Sequence, residues 1–88
     1  MNTEEATKIV LRPHITERTF SMVENESKIC FIVNPKATKS KIADAIKTLY
    51  NKDAIDVNTS KTIYGKKAFV KFADIEKARD LATKIGML

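Results

Sequence analysis

His14 and Cys30 are the sole histidine and cysteine of the chain, and neither has the company that catalysis requires. A nucleophile needs a base within hydrogen-bond reach and a third group to orient that base. One His, one Cys and two glycines supply neither that constellation nor a glycine-rich loop to cradle phosphate. They are also too few for a dedicated zinc site. His14 follows Pro13 in a turn and reads as a hydrogen-bonding group for backbone or phosphate rather than as an acid–base catalyst. Cys30 lies in the apolar run KICFIVN, where a thiol packs as a small hydrophobe. A lone cysteine forms no internal disulfide, which fits a reducing compartment. No enzymatic activity, cofactor or metal is expected.

The abundant chemistry is cationic. Sixteen Lys and Arg against eleven Asp and Glu leave a net charge of +5 on 88 residues. The excess is local: residues 35–72 hold nine basic and three acidic groups, residues 1–34 hold four and five, and residues 73–88 hold three of each. A basic span of this kind suits a polyanion. Lys36, Lys39 and Lys41 gather at a helix start, where the dipole favours anions. Each costs roughly a few tenths of a kcal/mol there unless a polyanion offsets it. Lys61, Lys66 and Lys67 around a hairpin tip extend the same area, with Tyr64 available for stacking or sugar contact.

One aromatic stretch imitates an RNA reader. Ala68, Phe69, Val70, Lys71 and Phe72 fill the last five places of the RNA-recognition-motif signature. Its first three places ask for a basic residue, a glycine and a base-stacking aromatic, and Gly65, Lys66 and Lys67 fail them. The chain also reaches Leu88 directly after its last helix, where that fold has a further strand. Core packing of the alternating Ala68, Val70 and Phe72 accounts for the likeness. Phe69, between Lys67 and Lys71 on the opposite face, lies either under a helix or open to a base. With helices expected on both faces, core packing is the favoured reading.

Short elements must hold these side chains. Residues 1–7 are polar and read as loose, residues 9–11 suit an edge strand, and Pro13 interrupts regular structure. Thr16 reads as an N-cap, with Ile15 and Phe20 placed for a hydrophobic staple. KICFIVNP is a strand with Ile29, Phe31 and Val33 on one face and Cys30 and Ile32 on the other. Thr38 caps a helix whose stripe is Ile42, Ala45, Ile46, Leu49 and Tyr50. AIDVNTSKTIY alternates, with Ile55, Val57 and Ile63 on one face, and turns at Gly65 into KAFVKF as a hairpin. Asp74 caps the last helix and Gly86 stops it. The order β-α-β-α-β-β-α describes one α+β domain over residues 1–88, a four-stranded, mainly antiparallel sheet with helices packed on its faces.

Five phrases in register are similar to a known family. VLRPHITERT (residues 10–19), NPKATKSKIADAI (34–46), DVNTSKT (56–62), GKKAFVKF (65–72) and ATKIGML (82–88) resemble the twenty-third protein of the large ribosomal subunit, from about Lys8 to the end. The resemblance implies a structural ribosomal protein that binds the third domain of the large-subunit rRNA beside the polypeptide exit tunnel. It also implies a share in the docking platform for nascent-chain factors, and a contact with the twenty-ninth large-subunit protein. The family phrase Pro-His-(Ile/Val)-(Thr/Ser)-Glu-(Lys/Arg) maps onto residues 13–18, which puts the docking-factor contact at Glu17. SKTIYGKKAF leaves a tight hairpin where bacterial members carry a long basic loop, and eukaryotic-type N-terminal extensions are missing. The chain therefore resembles archaeal members, for which the signal-recognition particle is the implied visitor.

These readings converge on an rRNA-binding, ribosome-bound, cytoplasmic protein without membrane insertion. Its RNA contacts are expected at Arg12, His14, Arg18, Lys36, Lys39, Lys41, Lys61, Tyr64, Lys66 and Lys67. Two alternatives stay open. A free single-strand binder would use Phe69 and Phe31 as stacking platforms, and would hold short unstructured oligonucleotides as tightly as rRNA. A protein–protein adaptor would use the acidic helix around Glu17 and Glu24, with salt-insensitive binding and no RNA affinity.

Overall fold

A computed structural model describes residues 1–63 and 65–86, and it begins with a helix where the sequence suggested a loose tail. In α1 (Thr3–Ile9), the Asn2 side chain accepts a hydrogen bond from the Glu5 amide at 2.8 Å, and Glu4 and Glu5 complement the dipole. Seven residues make no stable helix alone; packing against a later helix holds this one, through the fully buried Ala6. The edge strand that follows is β1 (Val10–Pro13).

The expected caps are where the sequence placed them. Thr16 opens α2 (Glu17–Glu26) by a reciprocal box: the Thr16 hydroxyl accepts from the Thr19 amide, and the Thr19 hydroxyl accepts from the Thr16 amide at 2.8 Å. Ser27, in the left-handed conformation, ends the helix and starts β2 (Lys28–Val33). Thr38 caps α3 (Lys39–Tyr50), which Asn51 closes with φ 56°. β3 (Ala54–Thr62) and β4 (Gly65–Phe72) form the hairpin, and Asp74 caps α4 (Ile75–Lys84). Gly65 has φ +117°, a conformation side chains disfavour, so glycine suits the position where β4 begins. Ile15 and Phe20 are both exposed, so no buried staple forms beside the Thr16 box.

The sheet order is β1-β2-β4-β3 and every pairing is antiparallel. Ile29, Phe31 and Val33 of β2 join Ala68, Val70 and Phe72 of β4 in one hydrophobic cluster, which also takes in the buried residues of all four helices, among them Ala6, Val23, Ile46 and Leu81. Phe31 stacks on Tyr50 with ring centroids 5.9 Å apart. Cys30 and Ile32 alternate with these residues, are buried, and lie outside that cluster. β3 departs from simple alternation: a bulge between Ala54 and Asp56 turns Ile55 outward, and Ile63 sits at the turn, 93% exposed. Of the three apolar residues expected on one face, Val57 alone is buried.

Truncating Ile46, which is fully buried, to alanine is expected to cost ~2–5 kcal/mol in urea unfolding. Ile63→Ala, at a position open to solvent, should stay within about 0.5 kcal/mol of the native protein.

Candidate nucleic-acid interface

Along β4 consecutive side chains point to opposite faces, so Lys66 and Lys67 lead to two different environments. Lys66 shares a cross-strand row with Val33 and Lys61, on the helix-covered side. Its Nζ donates to the Ala37 carbonyl at 2.9 Å, tying the strand to the approach to α3. That approach is pinned again by Asn34, whose side chain accepts from the Lys36 amide and whose amide donates to the Ile9 carbonyl. Lys36, Lys39 and Lys41 stand exposed around it. α1, α2 and α4 each carry an acidic residue in the first turn, whereas α3 has none. Lys61 and Lys66 also face each other directly, a mildly destabilising pairing of like charges.

Lys67 belongs to the other face. It lies in one row with Arg12, Ile32 and Ser60; the next row is Cys30, Phe69 and Asn58; the next is Lys28, Lys71 and Asp56. His14 continues from β1, its amide donating to the Cys30 carbonyl at 2.9 Å, while the Thr19 hydroxyl donates to the His14 carbonyl at 2.9 Å. Burial holds the His14 imidazole below its ordinary pKa, and the charges of Lys67 and Arg12 push the same way. Basic side chains from two segments distant in sequence, Arg12 with His14 on one and Lys67 on the other, thus converge on one patch. Burial pushes the Cys30 thiol beneath it up to about 11, so it is an inert packing group.

α2 forms one wall of an open groove of about 520 Å³ over this face. Its turns present three stripes. Thr19 and Val23 are buried, Arg18, Ser21, Met22 and Asn25 line the groove, and Glu17 and Phe20 point away, exposed. The groove floor includes His14, Asn58, Lys67 and Phe69. Phe69 is therefore not packed under helices, as the sequence suggested, but half-buried on the face opposite the core. Phe31 is fully buried and closed to a base. Tyr64 lies outside the described residues. Lys71 was missed as a candidate, although its spacing from Lys67 and Phe69 already placed the three on one strand face.

The ion pairs divide the cations into two populations. Carboxylates hold Lys28, Lys47, Lys52, Arg79 and Lys84, and the Arg79 guanidinium keeps the Glu24 carboxyl below its usual pKa. Arg12, Arg18, Lys36, Lys39, Lys41, Lys61 and Lys66 meet no carboxylate among the described residues, and neither do Lys8, Lys71 and Lys77. Among those residues no group of three His, Cys, Asp or Glu is placed to hold a metal, and no helix is long and apolar enough to cross a membrane.

Because the folded-state pKa of His14 is lowered, its neutral form contributes stability that is complete above pH 6.5 and is lost as pH falls through the folded value. An NMR titration of this lone histidine should give a midpoint below 6.5, and His14→Gln should lessen the drop in urea midpoint between about pH 7.5 and pH 5.5.

Residues 8–84 match the profile of a family described as ribosomal protein L23. Large ribosomal subunit protein uL23 of Methanococcus vannielii is 37% identical over 84 residues, covering 94% of this chain and 98% of that protein. The protein of the same name from Methanobrevibacter smithii is 38% identical over 80 residues, covering 90% and 93%. Large ribosomal subunit protein uL23B of Caenorhabditis elegans is 40% identical over 81 residues, covering 91% of this chain and 56% of that protein. The five phrases read from the sequence and these likenesses along nearly the whole chain agree: the chain belongs to the ribosomal protein L23 family.

Proposed function

We propose that the chain is a structural constituent of the large ribosomal subunit, held to large-subunit rRNA by the cationic surface that wraps the β3–β4 end of the sheet. One observation carries this reading. Four carboxylates, Glu24, Glu26, Asp53 and Asp80, pair with a separate set of cations, and the basic residues nominated from the sequence include seven that no carboxylate offsets among the described residues. A surface that gathers like charges at Lys61 and Lys66, and again at the start of α3, carries a local penalty that phosphates would relieve. Such interactions position a protein on folded RNA by backbone charge and shape rather than by base sequence.

From the family resemblance we infer a finer position: the third rRNA domain at the rim of the exit tunnel in a cytoplasmic ribosome, beside the twenty-ninth large-subunit protein. Glu17 is the proposed contact for the signal-recognition particle. Its position supports this, since it is exposed on the α2 stripe turned away from the groove. As first residue of the helix it is also favoured by the dipole whatever it touches.

Binding to a fragment of the third rRNA domain is expected to weaken steeply with salt. Replacing Lys36, Lys39 and Lys41 together by Ala should reduce the slope of log K against log salt by ~0.7–0.9 for each phosphate no longer neutralised. Replacing the carboxylate-paired Lys47 and Lys84 should leave it unchanged. An unaltered slope in the first variant would remove the α3 start from the interface.

A further inference from the structure

We propose that the groove between α2 and the exposed face of β4 seats one unstacked nucleotide of the bound RNA, its base on Phe69 and its phosphate between His14 and Lys67. This deepens the reading of the chain as an rRNA binder and rests on it. Phe69 lies outside the core cluster on a half-open strand face, and Lys67 and Lys71 flank it two residues away on either side. An aromatic ring set between cations on a sheet is the arrangement on which single-stranded bases stack. Side chains two apart on one face stand about 6.6 Å apart along the strand, close to the reach from a base to its own phosphate.

The groove is also charged for this occupant. Arg18, Lys28 and Lys67 line it as charges, His14 adds a neutral imidazole that can donate a hydrogen bond, and the carboxylate among its lining residues, Glu26, is 3.6 Å from Lys28. Arg12 adds its charge beside His14. Asn58, the cross-strand neighbour of Phe69, donates weakly to Asp56 at 3.5 Å and keeps its amide oxygen for a base edge. The volume of about 520 Å³ falls within the roughly 300–1,000 Å³ typical of sites for one small molecule. A duplex, with its bases stacked inside, has none to offer the ring; a loop or bulge nucleotide does.

The chain has no tryptophan, so Phe69→Trp makes the platform its own reporter. Its emission should be quenched by the third-domain rRNA fragment and by millimolar AMP, and not by inorganic phosphate. Phe69→Leu should bind the fragment roughly 5- to 150-fold more weakly with its salt slope unchanged, and Phe69→Tyr should keep native affinity. Matched thermal melts keep misfolding apart from lost stacking. Native affinity in Phe69→Leu, with no quenching in Phe69→Trp, would overturn the proposal. If replacing Lys36, Lys39 and Lys41 still flattened the salt dependence, the rRNA reading would survive that result. Absence of any rRNA binding by the native protein would overturn both. Quenching by a ribosomal protein but not by RNA or AMP would give the groove to a protein and likewise overturn the proposal.

Discussion

β4 sends Ala68, Val70 and Phe72 into the core and Lys67, Phe69 and Lys71 out of it, and a side-chain period of two leaves the strand no third choice. A slip of one residue against β2 would bury lysines and expose the core, so the register that pairs Phe31 with Ala68 and Cys30 with Phe69 is strongly specified. The core and the cationic face are therefore one decision. The same stretch that completes the hydrophobic cluster presents the charged rows opposite it. A rigid body of this kind suits a partner recognised by shape, because the cations keep fixed positions relative to one another.

Charge is separated with similar economy. Acidic residues start α1, α2 and α4, where the dipole favours them, and carboxylates of α2 and α4 clamp Arg79 and Lys52. Those pairs are exposed, so each contributes little to stability. They leave uncompensated charge around the start of α3, at the hairpin end, at Arg12 and Arg18 beside the groove, and at Lys8, Lys71 and Lys77. The outer stripe of α2 around Glu17 and Phe20 lies outside that surface.

Local signals were legible and non-local ones were not. Thr16, Thr38 and Asp74 could be read as caps because a cap bonds its own next turn. The family phrases were legible for the same reason, as words a few residues long. α1 was not: a single buried alanine in seven residues gives no apolar stripe, and contact with α3 forms the helix. The bulge at Ala54 and Asp56 broke the alternation that placed Ile55 inside. Phe69 was misjudged because periodicity says which residues share a face but not what covers it. The meeting of Arg12, His14 and Lys67 needed the strand order β1-β2-β4, which joins segments far apart in sequence.

If the cations without carboxylate partners are those that meet RNA, assembly must hide them from solvent reagents. Brief acetylation of lysine amines, read by mass spectrometry on the free protein and on assembled large subunits, tests this residue by residue. Lys36, Lys39, Lys41 and Lys61 are expected to become protected on assembly, while Lys47 and Lys84 stay reactive. Protection of Lys47 and Lys84, with the α3 start and hairpin end still open to reagent, would contradict it.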